Sequence, residues 1–242
     1  MKLSIIIPTL DEEKYIGRLL ECLRKQELED PDNLEVIVVD AGSSDNTQGE
    51  VMKYADNMSI NFCNLEQKNV SLQRNIGAKK AKGDVLIFMD ADIELPAQDT
   101  LSRITRVFDE KDTAASTCKV HIDPEKAFWA DKAWHAYTNF VISATQRLGF
   151  GTSRGACQAV RKEIFELAGG YNPDIHVAED TELFSRLVKH GKLKYLKDLA
   201  VYESPRRFRK KGYALTAWQW TINGLWVFFF GRSKARKWEP VR

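Results

Sequence analysis

The chain has 242 residues, 43% of them hydrophobic and 29% charged, which excludes a disordered polymer and leaves room for one large α/β domain with a sizeable core. The net charge of +2 hides an asymmetry: residues 206–242 carry ten Lys and Arg against one acid, Glu239, and the first 205 residues sum to −7, so an anionic partner is expected, whether a phosphorylated substrate, a membrane surface or nucleic acid. The four cysteines, Cys22, Cys63, Cys118 and Cys157, form no CxxC pair, which argues against a zinc site or a disulfide framework and for a reducing, cytoplasmic setting.

The opening Met1–Pro8 is too short an apolar run, and too soon broken by Pro8, to read as a secretory signal. Leu3–Ile7 is a β-branched buried strand. Asp11 is expected to cap a helix carrying Tyr15, Ile16, Leu19, Leu20 and Leu23 at helical spacing. Leu34–Asp40 is a second buried strand ending in the turn-rich loop 41–47. A helix over 46–56, a weak strand at 60–62 and a basic helix from Gln73 to Lys82 follow. Val85–Met89 is a third strand, closed by Asp90-Ala91-Asp92-Ile93-Glu94. Strand and helix alternate through residue 108, as in βαβ units with a mostly parallel sheet. Beyond it, 114–122 reads as a strand, 125–148 as an aromatic-rich helix and 149–155 as a flexible link. Helical patterns return at 161–168 and 180–190, and short strands are expected at 193–196 and 199–202.

The acids fall in a pattern. Asp11, Asp40, Asp90 and Asp92 sit at or just past the C-terminal ends of expected strands, where open α/β sheets bind their ligands. Aspartate is also a common turn and cap residue, but its repetition at three strand ends favours a shared cleft. In extended backbone Asp90 and Asp92 would face the same way, with Ala91 pointing away. Two such carboxylates repel unless a cation lies between them. A hard divalent ion, Mg²⁺ or Mn²⁺, held by one or two carboxylates and substrate phosphates answers that need.

These residues resemble glycosyltransferase family 2. The likeness runs through Ile5-Ile6-Ile7-Pro8-Thr9-Leu10-Asp11-Glu12-Glu13, Val38-Val39-Asp40-Ala41-Gly42-Ser43-Ser44-Asp45-Asn46-Thr47, Arg74-Asn75-Ile76-Gly77, Gly83-Asp84 and Phe88-Met89-Asp90-Ala91-Asp92, and more loosely through Gly155-Ala156-Cys157 and Glu179-Asp180-Thr181-Glu182. The resemblance implies a GT-A fold: one Rossmann-like α/β domain with a mixed, mostly parallel central sheet and helices on both faces. A nucleotide-sugar lobe would span 1–115, an acceptor lobe 116–205 and a basic helical tail 206–242. It implies an inverting enzyme moving sugar from a UDP- or GDP-sugar to a sugar, glycan or lipid-phosphate acceptor. Pro8, Thr9, Glu12 and Asp40 would line the nucleoside pocket, with Asp40 reading the base; Arg74 would lie near the nucleotide. Ala91 falls between the two metal-site aspartates and belongs to the donor site. Asp90 would meet the ribose or metal, Asp92 the metal, and Asp180 would be the catalytic base. Position 11 is Asp where the family often has Asn, and either caps a helix.

Outside the resemblance, Glu179, Asp180 and Glu182 read first as acids favouring a helix N-terminus, worth about 0.3–1 kcal/mol. His176, four residues before Asp180, is either a third metal ligand or a solvated loop histidine. Arg206 and Arg207 suit either a donor diphosphate or a lipid phosphate. Residues 212–231 carry no charge but several aromatics, diluted by Thr216, Gln219, Thr221 and Asn223. Basic flanks fit a helix lying on an anionic bilayer, in peripheral contact with the cytoplasmic face, better than a span. Packing on the protein itself, or on a second copy as a homodimer, is the competing reading. Two other functions stay open: a sugar-nucleotide nucleotidyltransferase, which would usually show a Gly-rich loop where Pro8–Glu13 stands, and a non-catalytic nucleotide-binding membrane scaffold. No recognition motif supports nucleic acid as a partner.

Overall fold

The computed structural model describes residues 1–231 and Ser233. The basic residues Arg232, Lys234, Arg236, Lys237 and Arg242 of the expected tail lie outside the described residues. In chain order the elements are β1 (Leu3–Thr9), α1 (Ile16–Arg24), β2 (Leu34–Asp40), α2 (Thr47–Met52), β3 (Ile60–Asn64), α3 (Val70–Lys80), β4 (Val85–Met89), β5 (Ile93–Glu94) and α4 (Thr100–Arg106). They continue with β6 (Thr113–His121), α5 (Trp129–Arg147), β7 (Cys157–Arg161), α6 (Lys162–Leu167), α7 (Glu179–Leu187), β8 (Lys192–Glu203), α8 (Arg206–Lys211) and α9 (Tyr213–Phe230).

The strands form one sheet in the order β3-β2-β1-β4-β7-β6-β8-β5. β2, β1 and β4 are parallel neighbours, as are β2 with β3 and β6 with β8. β7 runs antiparallel to both β4 and β6, and β5 antiparallel to β8. Reversing twice through β7 leaves β1, β2, β3, β4, β6 and β8 pointing the same way. Register then fixes the edge: Thr9 lies opposite Asp40, Met89 opposite Cys157 and His121 opposite Tyr202. The ends of β1, β2, β4, β6 and β8 and the start of β7 therefore share one rim.

Alternating side chains bury both faces. Ile5 and Ile7 join Leu19, Leu20, Leu23 and Leu101 on one side, beneath α1 and α4. Ile6 and Phe88 join Ala78, Phe165 and Phe184 on the other, beneath α3, α6 and α7. Gly77 lets α3 lie close to β1, because a Cβ there would stand 2.4 Å from Ile6 Cγ2. The mixed, mostly parallel sheet with helices on both faces is thus the expected architecture.

Three local expectations are corrected. Asp11 caps no helix; α1 begins at Ile16, and Asp11 has φ 52°, a left-handed conformation that Asp and Asn tolerate best among residues with a Cβ. The two short strands near residues 193–202 are one strand, β8, whose pairing jumps from Leu196 to Ala200 across one step of β6. Asp90 and Asp92 are not in extended backbone: the Ile93 N–H reaches the Asp90 carbonyl at 3.3 Å, closing a turn.

Candidate active site

The rim carries a cleft of about 640 Å³, within the usual range for small-molecule sites. Its floor begins with two loops zipped together. The Glu12 N–H donates to Thr47 Oγ1 at 2.8 Å, Ser44 N–H to Asp11 Oδ1 at 2.7 Å, and Asn46 N–H to Glu13 Oε2 at 2.9 Å. The turn-forming residues 43–47 therefore do structural work, holding Pro8, Thr9 and Glu12 against the cleft. Gln73 on α3 ties the strand tips, donating to the carbonyls of Thr9 and Val39 at 2.8 and 2.7 Å.

Asp40 stands beside this wall and is not among the cleft-lining residues. It is buried, and accepts from Thr9 Oγ1 at 2.8 Å and from the Ser43 N–H at 2.8 Å. Thr9 is the residue between Asp40 and the cleft.

Arg74 organises the centre. It is 1% exposed, yet its guanidinium reaches two segments far apart in sequence. Nη2 donates to Asp90 Oδ1 at 2.8 Å and Nη1 to Glu179 Oε1 at 2.9 Å, while the ring of Tyr171 lies 5.2 Å from its Cζ. One guanidinium thus joins the Asp90–Asp92 turn and the Glu179–Asp180 pair. Asp180 opens α7, where its own Oδ1 takes the Thr181 N–H at 2.7 Å. Burial, then the charge of Glu179, push its carboxyl from the ordinary 3.8 up to about 7.

Asp90, Ala91 and Asp92 all border the cleft. Burial raises the Asp92 carboxyl, and Arg206 opposes that rise, its Nε standing 3.1 Å from Oδ2. Arg206 also donates to Glu12 Oε1 at 2.6 Å and lies 4.4 Å from the centre of the Tyr15 ring. Arg207 borders the same space. The two aspartates suit a hard divalent cation as oxygen donors on one cleft, although here each is paired with an arginine, Asp90 with Arg74 and Asp92 with Arg206. Among the described residues no group of three or more His, Cys, Asp and Glu is arranged to hold a metal, so substrate oxygens and water would complete the shell, as is usual for Mg²⁺. His176 lines the cleft without joining any such group.

The far side of the cleft holds residues that the sequence did not single out. Arg154 donates from Nη1 to His135 Nδ1 at 3.0 Å and from Nη2 to Glu203 Oε1, and its Cζ lies 5.6 Å from the Trp220 ring. Burial and Arg154 drive His135 down to about 3, so it is a neutral acceptor. Burial pushes Glu203 up to about 7 against the pull of Arg154. The Arg154-to-Glu203 separation is 49 residues, beyond any local spacing rule. The only sequence signals were a charge inside the glycine-rich 149–155 link and an acid at the end of a strand.

Comparison with known proteins places the chain in a family and a fold. Residues 4–168 match the Glycosyl transferase family 2 model. The poly(ribitol-phosphate) beta-N-acetylglucosaminyltransferase TarS of Staphylococcus aureus is 38% identical over 94 residues, 38% of this chain and 16% of that protein. The chondroitin synthase of Pasteurella multocida is 30% identical over 125 residues, 50% of this chain and 12% of that protein. Among solved structures, the mannosyltransferase PcManGT from Pyrobaculum calidifontis, in complex with GDP-Man and Mn²⁺, superposes with a TM-score of 0.74 at 21% identity over 93% of this chain and 61% of that one. TarS 1–349 of S. aureus with UDP-GlcNAc gives 0.67 at 22% identity over 87% and 64%. This chain spans less than two thirds of the length of each of these relatives. The match over most of its length, on a sheet shared with these structures, means that the chain belongs to glycosyl transferase family 2 and has the GT-A fold.

Proposed function

We propose that this chain transfers a sugar from a UDP- or GDP-sugar to an acceptor hydroxyl or phosphate, with inversion at the anomeric carbon. The observation that supports the reading is the Arg74 fork, which holds Asp90 and Glu179, the neighbour of Asp180, on one cleft that Asp92 and Asp180 also line. In this reading Pro8, Thr9 and Glu12 hold the nucleoside, with Asp40 supporting Thr9 from behind. Residues 1–115 serve the donor and 116–205 the acceptor. Asp90 and Asp92 would hold Mg²⁺ or Mn²⁺, which when bound neutralises charge on the leaving diphosphate. Arg206 and Arg207 add cationic charge on that side. Asp180, poised near 7, accepts the acceptor's proton as its oxygen attacks from the face opposite the diphosphate. In this reading the base and the leaving group would stand at opposite ends of one displacement, inverting the centre.

The experiment is incubation with UDP- and GDP-sugars and Mn²⁺, reading nucleoside diphosphate release. Donor binding with no release under any acceptor would refute transfer and leave a nucleotide-binding scaffold.

We further propose peripheral contact with an anionic membrane. α5 exposes Trp129, Tyr137 and Phe140, and α9 exposes Leu215, Trp218 and Leu225, beside Arg209 and Lys210. No described helix is long and apolar enough to cross a bilayer.

A further inference from the structure

Asn75, next to Arg74 on α3, grips the segment that leads to Asp180. Its Nδ2 donates to the Tyr171 carbonyl at 2.8 Å, and its Oδ1 accepts from the Tyr171 N–H at 2.9 Å. One side-chain amide thus pairs with both backbone groups of a residue 96 positions away. Gly170 makes room for it: a Cβ there would stand 2.8 Å from Asn75 Oδ1, and its φ of 70° suits glycine. Asn69 adds a second grip. Its Oδ1 caps α3 by accepting from the Leu72 N–H at 3.1 Å, while Nδ2 donates to the Pro173 carbonyl at 2.9 Å. α3 therefore holds residues 171 and 173 through its asparagines and Glu179 through Arg74.

Between these holds the backbone runs against its preference. Ala178 has φ 66° and ψ 27°, a left-handed conformation that costs free energy for a residue with a Cβ. Such a conformation persists where its surroundings over-determine it. The Ala178 carbonyl accepts from the Glu182 N–H at 3.0 Å, so this turn sets where α7 starts and with it the place of Asp180. Ala178, Glu179 and Asp180 border the cleft, and Asn75 is not among its lining residues.

We propose that Asn75, seconded by Asn69, is a positioning residue that holds segment 171–178 in the strained course placing Asp180 on the cleft. This rests on the reading of Asp180 as the base, and it gives Asn75 a role separate from donor binding.

The test uses the full chain. Turnover is read as nucleoside diphosphate release from the UDP- or GDP-sugar that supports it with Mn²⁺, nucleotide affinity by calorimetry with UDP or GDP and Mn²⁺, and backbone opening by amide hydrogen exchange over 171–180. Asn75→Ala should lower kcat about 10- to 100-fold, the scale of an ångström-sized misplacement, and speed exchange over 171–180. Nucleotide affinity should stay within about twofold of the wild type. In the Asp180→Asn background the same change should cost less than about threefold, because residues acting as one unit are not additive. Ala178→Gly, which takes this φ without strain, should return part of the turnover lost in Asn75→Ala. Asn69→Asp keeps the helix cap, removes only the hold on Pro173 and should also speed exchange, which gives a milder variant if Asn75→Ala does not fold. The proposal falls if Asn75→Ala turns over as the wild type does, if it loses affinity in step with turnover, or if it costs Asp180→Asn as much as it costs the wild type. Unchanged exchange over 171–180 in both asparagine variants overturns the grip whatever the turnover. Near-normal turnover in Asp180→Asn overturns the base reading and the aiming role with it, and accelerated exchange in Asn75→Ala then separates that failure from a failure of the grip.

Discussion

Replacing Arg74 by alanine tests the joint that holds the site together. The guanidinium is buried and bridges two carboxylates of unequal exposure: the Asp90 side chain is 40% exposed and that of Glu179 only 12%. Solvent can recover most of what Asp90 loses, so that arm counts for little. The Glu179 arm is different, because truncation leaves a carboxylate buried beside Asp180 with no cation. Breaking a buried pair in this way costs about 3–5 kcal/mol. Against a total stability of roughly 5–15 kcal/mol, the variant should still fold but melt about 6–20 °C lower. Arg74→Lys keeps the charge and loses the fork, so it should fall between. The assay is denaturant and thermal unfolding of R74A, R74K, E179Q and the R74A/E179Q double variant. The double variant should lose clearly less than the sum of the two single variants. A loss below about 1 kcal/mol in R74A, or an undiminished loss in the E179Q background, would refute the bridge.

If Asp180 is the base proposed above, transfer should rise with pH through about 7 and level off above it, because only its ionised form takes a proton. Glu179→Gln removes a like charge and should move that limb to lower pH, without restoring an ordinary aspartate, since burial is the larger cause. The linked effect on stability has the opposite sense: between pH 3.8 and about 7 the folded chain keeps a proton that the unfolded chain releases, so Asp180 makes the fold weaker as pH rises across that window and Asp180→Asn should flatten the dependence. Asp131 is fully buried and accepts from the Phe128 N–H, Arg209 and Tyr213, tying α5 to α8 and α9. Asp131→Asn should cost about 1.5–3 kcal/mol and red-shift tryptophan emission as α9 loosens; unchanged unfolding would contradict the tie. Trp218→Ser should reduce co-sedimentation with anionic liposomes and leave neutral-lipid controls unchanged; no binding by the wild type would leave self-packing or a homodimer as the role of that face.

What the sequence made legible was local. Ile5-Ile6-Ile7 and Val85–Met89 read as strands because both faces of the sheet are covered and no polar residue interrupts them. The Asp90–Asp92 pair was visible because it ends such a run, but the turn it makes was not. Contacts across the sheet were not. Arg74 read as a basic residue near the nucleotide, whereas its guanidinium is engaged by Asp90, 16 residues away, and Glu179, 105 residues away. Arg154, before β7, His135, on α5, and Glu203, at the end of β8, converge only through the packing of α5 and the strand order, and no spacing rule encodes that. Asp11 was misplaced for a related reason. An aspartate before an apolar helix looks like a cap, but this one turns left-handed to receive Ser44 from the neighbouring loop.

The central claim, that Asp180 makes this nucleotide-sugar cleft a transferase, meets its most direct test in Asp180→Asn under saturating donor. Asparagine keeps the volume and cannot take a proton. The account predicts that transfer falls by about 10²–10⁴ while the donor's dissociation constant stays unchanged. Near-normal turnover in the variant, or loss of donor binding in step with turnover, would contradict it.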